Sequence, residues 1–132
     1  MDTKFYKCPH CGNIIVKLVD SGVEPECCGE PMTVLEPQTV DGKEKHHVPV
    51  LSCSEGGGIK VVVGEEPHPM TPEHHVCFIA VESAKGIDVH CVESEKVAET
   101  TFCCCCDDIK AVYEYCNLHG LWQTTDIPKK QK

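Results

Sequence analysis

Two residues near the end of the chain have the types and spacing to bind one metal ion together. Cys116 and His119 stand three positions apart, and Gly120 allows a sharp turn that lets both side chains face one point. Three upstream histidines complete a candidate set of four nitrogens and one sulfur: His47, His68 and His74. A structural zinc site closes with four ligands, so five ligands that are mostly imidazole indicate iron with an open sixth position. Such a site is typical of catalysis.

A second set of candidate ligands consists of thiols near the start of the chain. Cys8 and Cys11 form a Cys-x-x-Cys-Gly turn, and Cys27 and Cys28 form the other pair. Four thiolates suit tetrahedral zinc or iron, whereas a redox dithiol or unpaired buried cysteines are the alternatives. The surrounding segment is too small to bury an adequate core, so we expect a metal to stabilise it. Adjacent cysteines diverge in an extended chain, so binding one ion through both requires a distorted geometry.

The elements that must position the histidines are strands. After Lys45, short runs rich in Val, Ile and aromatic residues alternate with turn residues. The predicted strands are 47–53, 59–63, 76–81, 87–92 and 109–115. This pattern predicts an all-β fold built on an immunoglobulin-like antiparallel β-sandwich, without an amphipathic helix of useful length.

A change in composition divides the chain into two blocks. Cysteine pairs and glycines dominate the first block, and a polar stretch beginning at Glu36 leads into the strand-like runs. We therefore predict a small metal-stabilised domain over 1–36, a linker over 37–44 and a β-sandwich domain over 45–132.

Composition and charge narrow the setting of the protein. Twelve cysteines among 132 residues would indicate disulfides in a secreted chain, but the first residues carry no apolar signal core. We therefore expect a cytoplasmic protein whose cysteines are metal ligands or redox thiols. No apolar run is long enough to cross a membrane. The net charge of -9 and pI of about 5.3 argue against nucleic acid as a partner.

The residues around both candidate sites resemble a known family. The run 6–14 and the run 27–32 look like a desulforedoxin domain. The run 45–50, the pattern His68-Pro69-Met70-x-x-x-His74 and the run 114–122 resemble a superoxide reductase domain. Together they make the chain similar to the desulfoferrodoxins, which are two-iron superoxide reductases.

The resemblance implies a ligand set for each of two iron ions. The FeCys4 centre would use Cys8, Cys11, Cys27 and Cys28. The second iron would take its four equatorial nitrogens from His47, His68, His74 and His119, with Cys116 as the axial thiolate.

The resemblance also implies an activity and partners. Superoxide would be reduced by one electron to hydrogen peroxide at a ferrous His4Cys site with an open sixth position. A rubredoxin-like protein would donate electrons, and the protein would be a homodimer. The alternatives are a reductase whose first site holds structural zinc, and a non-catalytic zinc-binding module.

The chain departs from the family pattern before the first predicted strand. The family reads Glu-Lys-His-Val-Pro, whereas this chain reads Glu44-Lys45-His46-His47-Val48-Pro49. Alignment on Val-Pro makes His47 the ligand and places His46 where the family has its superoxide-attracting lysine. Alignment on Glu-Lys-His makes His46 the ligand and keeps Glu44 and Lys45 in their family roles. We favour His47, because an insertion would reverse side-chain direction along the strand. In either alignment Lys45 is the nearest cation that can attract a small anion.

Further residues receive structural interpretations. We expect Trp122 to pack under the Cys116 loop, and the amides of Leu118 and His119 to donate to the Cys116 sulfur. We expect the remaining cysteines to fill strand positions as small apolar groups: Cys53, Cys77, Cys91, Cys103, Cys104, Cys105 and Cys106.

Overall fold

The structure is a computed structural model that describes residues 3–39, 46–53, 57–93, 96–103 and 108–128. The chain divides into two compact units, Met1–Glu36 and Pro37–Lys132. The predicted linker 37–44 lies partly outside the described residues, so the predicted domain boundaries stay a prediction.

The first unit consists of short strands around two turns. Its strands are β1 (Phe5–Lys7), β2 (Ile14–Val16), β3 (Glu26–Cys27), β4 (Glu30–Pro31) and β5 (Thr33–Val34). Strand β1 lies between β2 and β5 in one antiparallel sheet, while β3 and β4 form a separate hairpin. The buried cluster contains Tyr6, Cys8 and Met32, with Cys27 packed against it. This cluster includes one candidate ligand and packs against another, and it is too small to stabilise the unit without them.

The second unit is built from two antiparallel sheets. Its strands are β6 (Pro49–Cys53), β7 (Ile59–Val63), β8 (Val76–Ser83), β9 (Gly86–Cys91), β10 (Glu99–Phe102), β11 (Ile109–Cys116) and β12 (Gly120–Thr124). The three-stranded sheet has the order β10-β7-β6, and the four-stranded sheet has the order β12-β11-β8-β9.

The hydrophobic core of the second unit draws on both sheets. Ile59, Val61 and Val63 alternate along β7 and are almost completely buried. They belong to one cluster with residues of β8, β10 and β11: Val76, Ile79, Val81, Phe102, Ile109 and Val112. Two sheets that share one core form a β-sandwich, so the predicted all-β sandwich is confirmed.

Two strands of the sandwich are not predicted from sequence. Strand β10 is short and polar, and only Phe102 of its residues is buried. Strand β12 begins directly after the turn that carries His119. In addition, β6 begins at Pro49, so His47 lies in the segment that precedes it. Among the described residues, no helix is long and apolar enough to cross a membrane.

Candidate metal centres

The four cysteines of the first unit converge on one point. Their sulfur atoms all lie within 4.8 Å of one another, and the sulfurs of Cys11 and Cys27 are 3.5 Å apart. The amides of His10 and Cys11 donate to the Cys8 sulfur, each at 3.4 Å, so the Cys-x-x-Cys turn points its N–H groups at a ligand atom. Gly12, with a φ of 82°, closes this turn by donating to the Cys8 carbonyl at 3.1 Å.

The adjacent cysteines reach one site because the second lies in a tight hairpin turn. Cys27 pairs with Glu30 across the β3–β4 hairpin, which leaves Cys28 and Gly29 as the two loop residues. Both have positive φ, 54° and 78°, as a type I′ turn requires. Cys28 is the one non-glycine residue with positive φ in the described part of the chain. The left-handed backbone at Cys28, which costs about 1–2 kcal/mol, lets both thiols reach one site.

The ionisation of these thiols favours a bound cation. Hydrogen bonds from the backbone of the Cys-x-x-Cys turn, led by the Cys11 amide, lower the pKa of Cys8 to about 6 despite its burial. The neighbouring Cys11 and Cys8 thiols raise the pKa of Cys28 to about 12. The Cys8 thiolate therefore forms readily, whereas Cys28 resists ionisation because negative charges would crowd together. A divalent metal removes that repulsion, so the donor set fits a tetrahedral zinc or iron ion.

Four histidine rings of the second unit form a square. Neighbouring rings lie at nearly equal spacing: the centroids are 5.0 Å apart for His47 and His68, 5.0 Å for His68 and His74, 4.9 Å for His74 and His119, and 4.8 Å for His119 and His47. Each ring is turned by 68–78° against the next. The four imidazoles therefore form a closed ring of neighbours.

Cys116 lies close to all four histidines of the square. Its sulfur lies within 4.8 Å of ligand atoms of His47 and His68, and equally within 4.8 Å of those of His74 and His119. Cys116 ends β11 and is fully buried, whereas His119 is exposed. The sulfur is therefore common to both groups of candidate ligands, which together offer four nitrogens and one sulfur.

A β-bulge positions the sulfur. From Ala111 to Tyr115 the register of β11 with β8 is regular, but Cys116 then pairs with Val76, so that Cys77 is skipped. Bulges of this kind redirect one side chain and are common beside active sites. The amides of Leu118 and His119 donate to the sulfur, as predicted, and they offset part of the rise in the Cys116 pKa that burial causes.

His68 shows most directly that these nitrogens fit a metal. Its Nδ1 lies 2.6 Å from the Pro69 carbonyl, which accepts that proton and leaves Nε2 as the basic nitrogen. Nε2 is buried and makes no hydrogen bond within the described part of the chain. Burial lowers the pKa of His68 to about 4, so the ring is neutral near pH 7 and offers a lone pair. A buried nitrogen of this kind suits a metal ligand that is oriented by a second-shell hydrogen bond.

Aromatic and amide groups support two of the histidines. Trp122 stacks on His47, with ring centroids 4.7 Å apart and an interplanar angle of 14°. Its indole Nε1 donates to the His119 carbonyl at 3.2 Å, and Gln38 Nε2 donates to the same oxygen at 2.8 Å. The expected packing of Trp122 against this loop is confirmed. The support from Gln38 is not evident from sequence, because 81 positions separate it from His119.

Gly64 allows the segment before β6 to approach. Its φ is 82°, and a Cβ at this position would lie 2.6 Å from the backbone carbonyl carbon and oxygen of His46. Its amide donates to the Val48 carbonyl at 3.1 Å. Gly64 therefore holds the backbone on both sides of His47.

His46 and His47, the two candidates for the first histidine ligand, lie in different surroundings. His47 is 4% exposed and occupies a corner of the square. The side chain of His46 is 30% exposed and faces Glu66, with 3.9 Å between its Nε2 and the Glu66 carboxylate. Glu44 and Lys45 lie outside the described residues. The structure thus brings together His47, and not His46, with the other histidines.

The expectation for the remaining cysteines is confirmed in part. Cys53, Cys77 and Cys91 lie in strands, and Cys53 and Cys91 are the last residues of β6 and β9. Cys53, Cys91 and Cys103 are exposed and Cys77 is half-buried, so they are not buried as small apolar groups. Cys104, Cys105 and Cys106 lie outside the described residues.

Fold and centres together define a class of protein: a β-sandwich with a four-histidine, one-cysteine site, preceded by a unit with a four-cysteine site. The family model for desulfoferrodoxin matches residues 39–125. The chain belongs to the desulfoferrodoxin family.

Known relatives match nearly the whole chain. A desulfoferrodoxin from Nitratidesulfovibrio vulgaris is 40% identical over 121 residues, which cover 91% of this chain and 94% of the relative. A desulfoferrodoxin homolog from Archaeoglobus fulgidus is 39% identical over 125 residues, with 90% and 94% covered. Among solved structures, the superoxide reductase from Treponema pallidum is similar with a TM-score of 0.78 and 31% identity, and the match covers 93% of this chain and 98% of that chain.

Proposed function

We propose that the protein is an iron-dependent superoxide reductase. In this proposal His47, His68, His74 and His119 would hold the iron together with Cys116. The observation that carries the proposal is the square of imidazoles with one buried sulfur close to ligand atoms of all four. Relatives and a solved structure that are named desulfoferrodoxin or superoxide reductase support it.

When bound in the ferrous state, iron would supply the one electron with which superoxide and two protons give one molecule of hydrogen peroxide. A rubredoxin-like donor returns the electron to the site. This balance needs no other oxidant and releases no dioxygen.

Neighbouring backbone amides stabilise the charged, thiolate form of Cys116. Burial disfavours the thiolate, whereas the amides of Leu118 and His119 favour it by donating to the sulfur. A bound cation would offset the cost of burial, so Cys116 would hold it as an anionic thiolate. The neutral His68 ring beside it adds no charge that would repel the metal.

The face of the square opposite Cys116 is the side for substrate and protons. The sulfur is fully buried, while His119 and Leu118 are exposed, the latter by 60%. Superoxide would arrive on the face opposite Cys116, and water there would supply both protons. Ready access of water favours release of hydrogen peroxide over cleavage of its O–O bond.

Positive charge near this face would raise the rate of superoxide arrival. We assign this role to Lys45 first and to His46 second, because both adjoin His47 in sequence. Glu66 lies close to His46, so its carboxylate reduces the field that His46 can supply. Glu44 is the candidate for a carboxylate that approaches the oxidised site.

The cysteines of the first unit would hold the second iron ion. We propose an FeCys4 centre that relays or stores electrons, in a homodimeric protein. The convergence of the four sulfur atoms supports a metal there, and metal analysis after expression with both metals available distinguishes iron from zinc. Two irons per chain support the relay, whereas one zinc and one iron indicate a structural first site.

The stoichiometry of the reaction tests the activity. Protein reduced in advance and exposed to superoxide without dioxygen should form one hydrogen peroxide for each superoxide consumed, since dismutation would form one for every two. The zinc-loaded protein is the matched control, because zinc has no redox chemistry. Equal superoxide loss with iron and with zinc would contradict the proposal.

A further inference from the structure

Asn117 connects the loop that carries Cys116 with the loop that carries His74. The Asn117 side chain accepts a hydrogen bond from the His75 amide at 2.8 Å and donates one to the Glu73 carbonyl at 2.9 Å. Its own backbone amide donates to the His75 carbonyl at 3.1 Å. These three bonds attach to the residues directly before and directly after His74.

The loop that Asn117 holds is itself a closed turn. The Thr71 amide donates to the His74 carbonyl at 2.9 Å, and the His74 amide faces the Thr71 carbonyl at 3.2 Å and the Thr71 hydroxyl at 3.1 Å. The His75 ring closes the turn further, with Nδ1 3.0 Å from the Thr71 carbonyl. Because the turn 71–75 is braced internally, its attachment to Asn117 sets the position of the whole turn.

We infer that Asn117 is a positioning residue that sets the place of His74 relative to Cys116 before a metal binds. The inference rests on the proposed function, in which both residues are ligands of one iron. Asn117 immediately follows Cys116, so any movement of the turn 71–75 against it changes the angle between the axial sulfur and one equatorial nitrogen. Beside the strand pairing of Cys116 with Val76, the hydrogen bonds of Asn117 therefore link these two ligands directly.

Other groups perform this role for the remaining histidines. His119 has its carbonyl held by Gln38 and Trp122. Gly64 holds the backbone beside His47. Thus the loss of Asn117 should free one corner of the square and leave the support of the others in place.

The expected consequence is a weaker and altered site in a folded protein. Without the clamp the metal must order the turn 71–75 as it binds, so part of the binding free energy is lost. Removal of an outer-shell hydrogen-bonding partner typically lowers metal affinity by about 10–100-fold. The thiolate-to-iron absorption of the oxidised protein should also shift, since it depends on the angle between the sulfur and the equatorial plane.

Two substitutions separate the hydrogen bonds of Asn117. Asn117→Ala removes both side-chain bonds. Asn117→Asp keeps an acceptor for the His75 amide but replaces the donor to Glu73 by a carboxylate oxygen. Asn13→Ala is the matched control: Asn13 is the other asparagine of the chain, and its Nδ2 lies 3.7 Å from the Cys27 sulfur of the first centre.

The first measurement needs no metal. In the metal-free protein, hydrogen exchange at the His75 amide should be faster in Asn117→Ala than in the parent or in Asn117→Asp. The second measurement is the release of iron(II) and of cobalt(II) to a chelator. Both should leave the second site about 10–100-fold faster in Asn117→Ala than in the parent, with a smaller increase in Asn117→Asp. Asn13→Ala should leave the second site unchanged in both measurements.

Parent-like metal release with an unshifted absorption band in Asn117→Ala would overturn the inference. If Asn117→Ala does not fold, Asn117→Asp decides the question: faster metal release with a protected His75 amide supports the inference, and parent-like release overturns it. Failure of the proposed function has a different signature, namely a parent protein that binds iron(II) or cobalt(II) but does not reduce superoxide. In that case the exchange and cobalt data still report on Asn117.

Discussion

The two candidate metal centres differ in the distance over which the chain collects their ligands. The first takes four sulfurs from two turns of one small unit, and its buried cluster of Tyr6, Cys8 and Met32 contains one of the ligands. The second takes its ligands from strand ends and loops between His47 and His119, beside a core with which it shares no residue. In the first unit a bound metal would stabilise the fold in place of a hydrophobic core. In the second unit the hydrophobic core stabilises the strands that position the metal ligands.

The two centres also differ in whether a substrate can reach the metal ion. A set of four thiolates closes a tetrahedron and leaves no position for a substrate. A square of imidazoles with one axial thiolate leaves a sixth position, and only a rigid scaffold can hold five ligands to one side of an ion. The expected effects of metal removal and of substitutions therefore differ between the units.

The largest expected difference follows removal of all metal. A strong chelator should unfold the first unit and leave the β-sandwich folded, because only the sandwich has an independent core. Trp122, the single tryptophan, is 8% exposed and reports on the sandwich through its fluorescence. Amide signals of Phe5–Lys7 report on the first unit. Cys27→Ser should mimic the chelator at the first unit, and persistence of those amide signals without metal would refute the contrast.

The next effect concerns one ligand of the second centre. His47→Ala should abolish iron binding at that centre and leave the metal of the first unit in place, since His47 occupies a corner of the square. His46→Ala should retain both metals, because the His46 ring faces Glu66 instead. Metal content per chain and visible absorption measure the outcome. Loss of the second iron in His46→Ala would reverse the assignment.

A moderate effect is expected at Gly64. Gly64→Ala and Gly57→Ala both place a side chain at positive φ, 82° and 96°, which costs about 1–2 kcal/mol each. Only at Gly64 does the new Cβ meet the backbone, 2.6 Å from His46, and such overpacking adds about 1–3 kcal/mol. Urea unfolding of the sandwich should therefore show a larger loss for Gly64→Ala, together with weaker iron binding. Equal losses in the two variants would show that the contact relaxes without cost.

The smallest expected effect is the loss of stability when the ion pair of Lys17 and Asp20 in the first unit is removed. Lys17 donates to Asp20 at 2.8 Å, and together with the Gly22 amide and Lys4 it holds the pKa of Asp20 far below its usual range. A depressed carboxyl pKa stabilises the folded unit above the unfolded value of about 4, and this contribution is lost as pH falls through the folded value. Asp20→Asn should therefore lower the unfolding midpoint of the first unit slightly and by a constant amount between about pH 5 and 8. A difference that varies across that range would indicate another titrating group.

Much of the first centre follows from sequence. Its ligands lie in local turns, and the Cys-x-x-Cys-Gly turn needs only nearby residues to orient its amides. The geometry of the adjacent pair does not follow from sequence in the same way. Cys28 takes a left-handed backbone because the hairpin of β3 and β4 leaves a two-residue loop, and pairing of strands decides that register.

For the second centre, the sequence predicts which residue types bind the metal but not how they are held in position. Spacing identifies Cys116 and His119, and the resemblance adds the other histidines. The support given by Gln38, Gly64 and Asn117 depends on segments that are distant along the chain and meet only when the sheets form. The exposure of Cys53 and Cys91 does not follow from sequence, because composition does not show which positions of a strand are covered by the opposing sheet.

The sequence by itself determined the chemistry of this protein: four thiols able to bind one ion, four imidazoles and a thiol able to bind another, and strands to carry them. The tertiary structure decided which histidine of the pair His46 and His47 lies in the square, and which backbone groups hold it there. The physical reason is that residue type sets what a side chain can bind, whereas the direction of a side chain depends on the register and bulges of strands that pair across the whole unit.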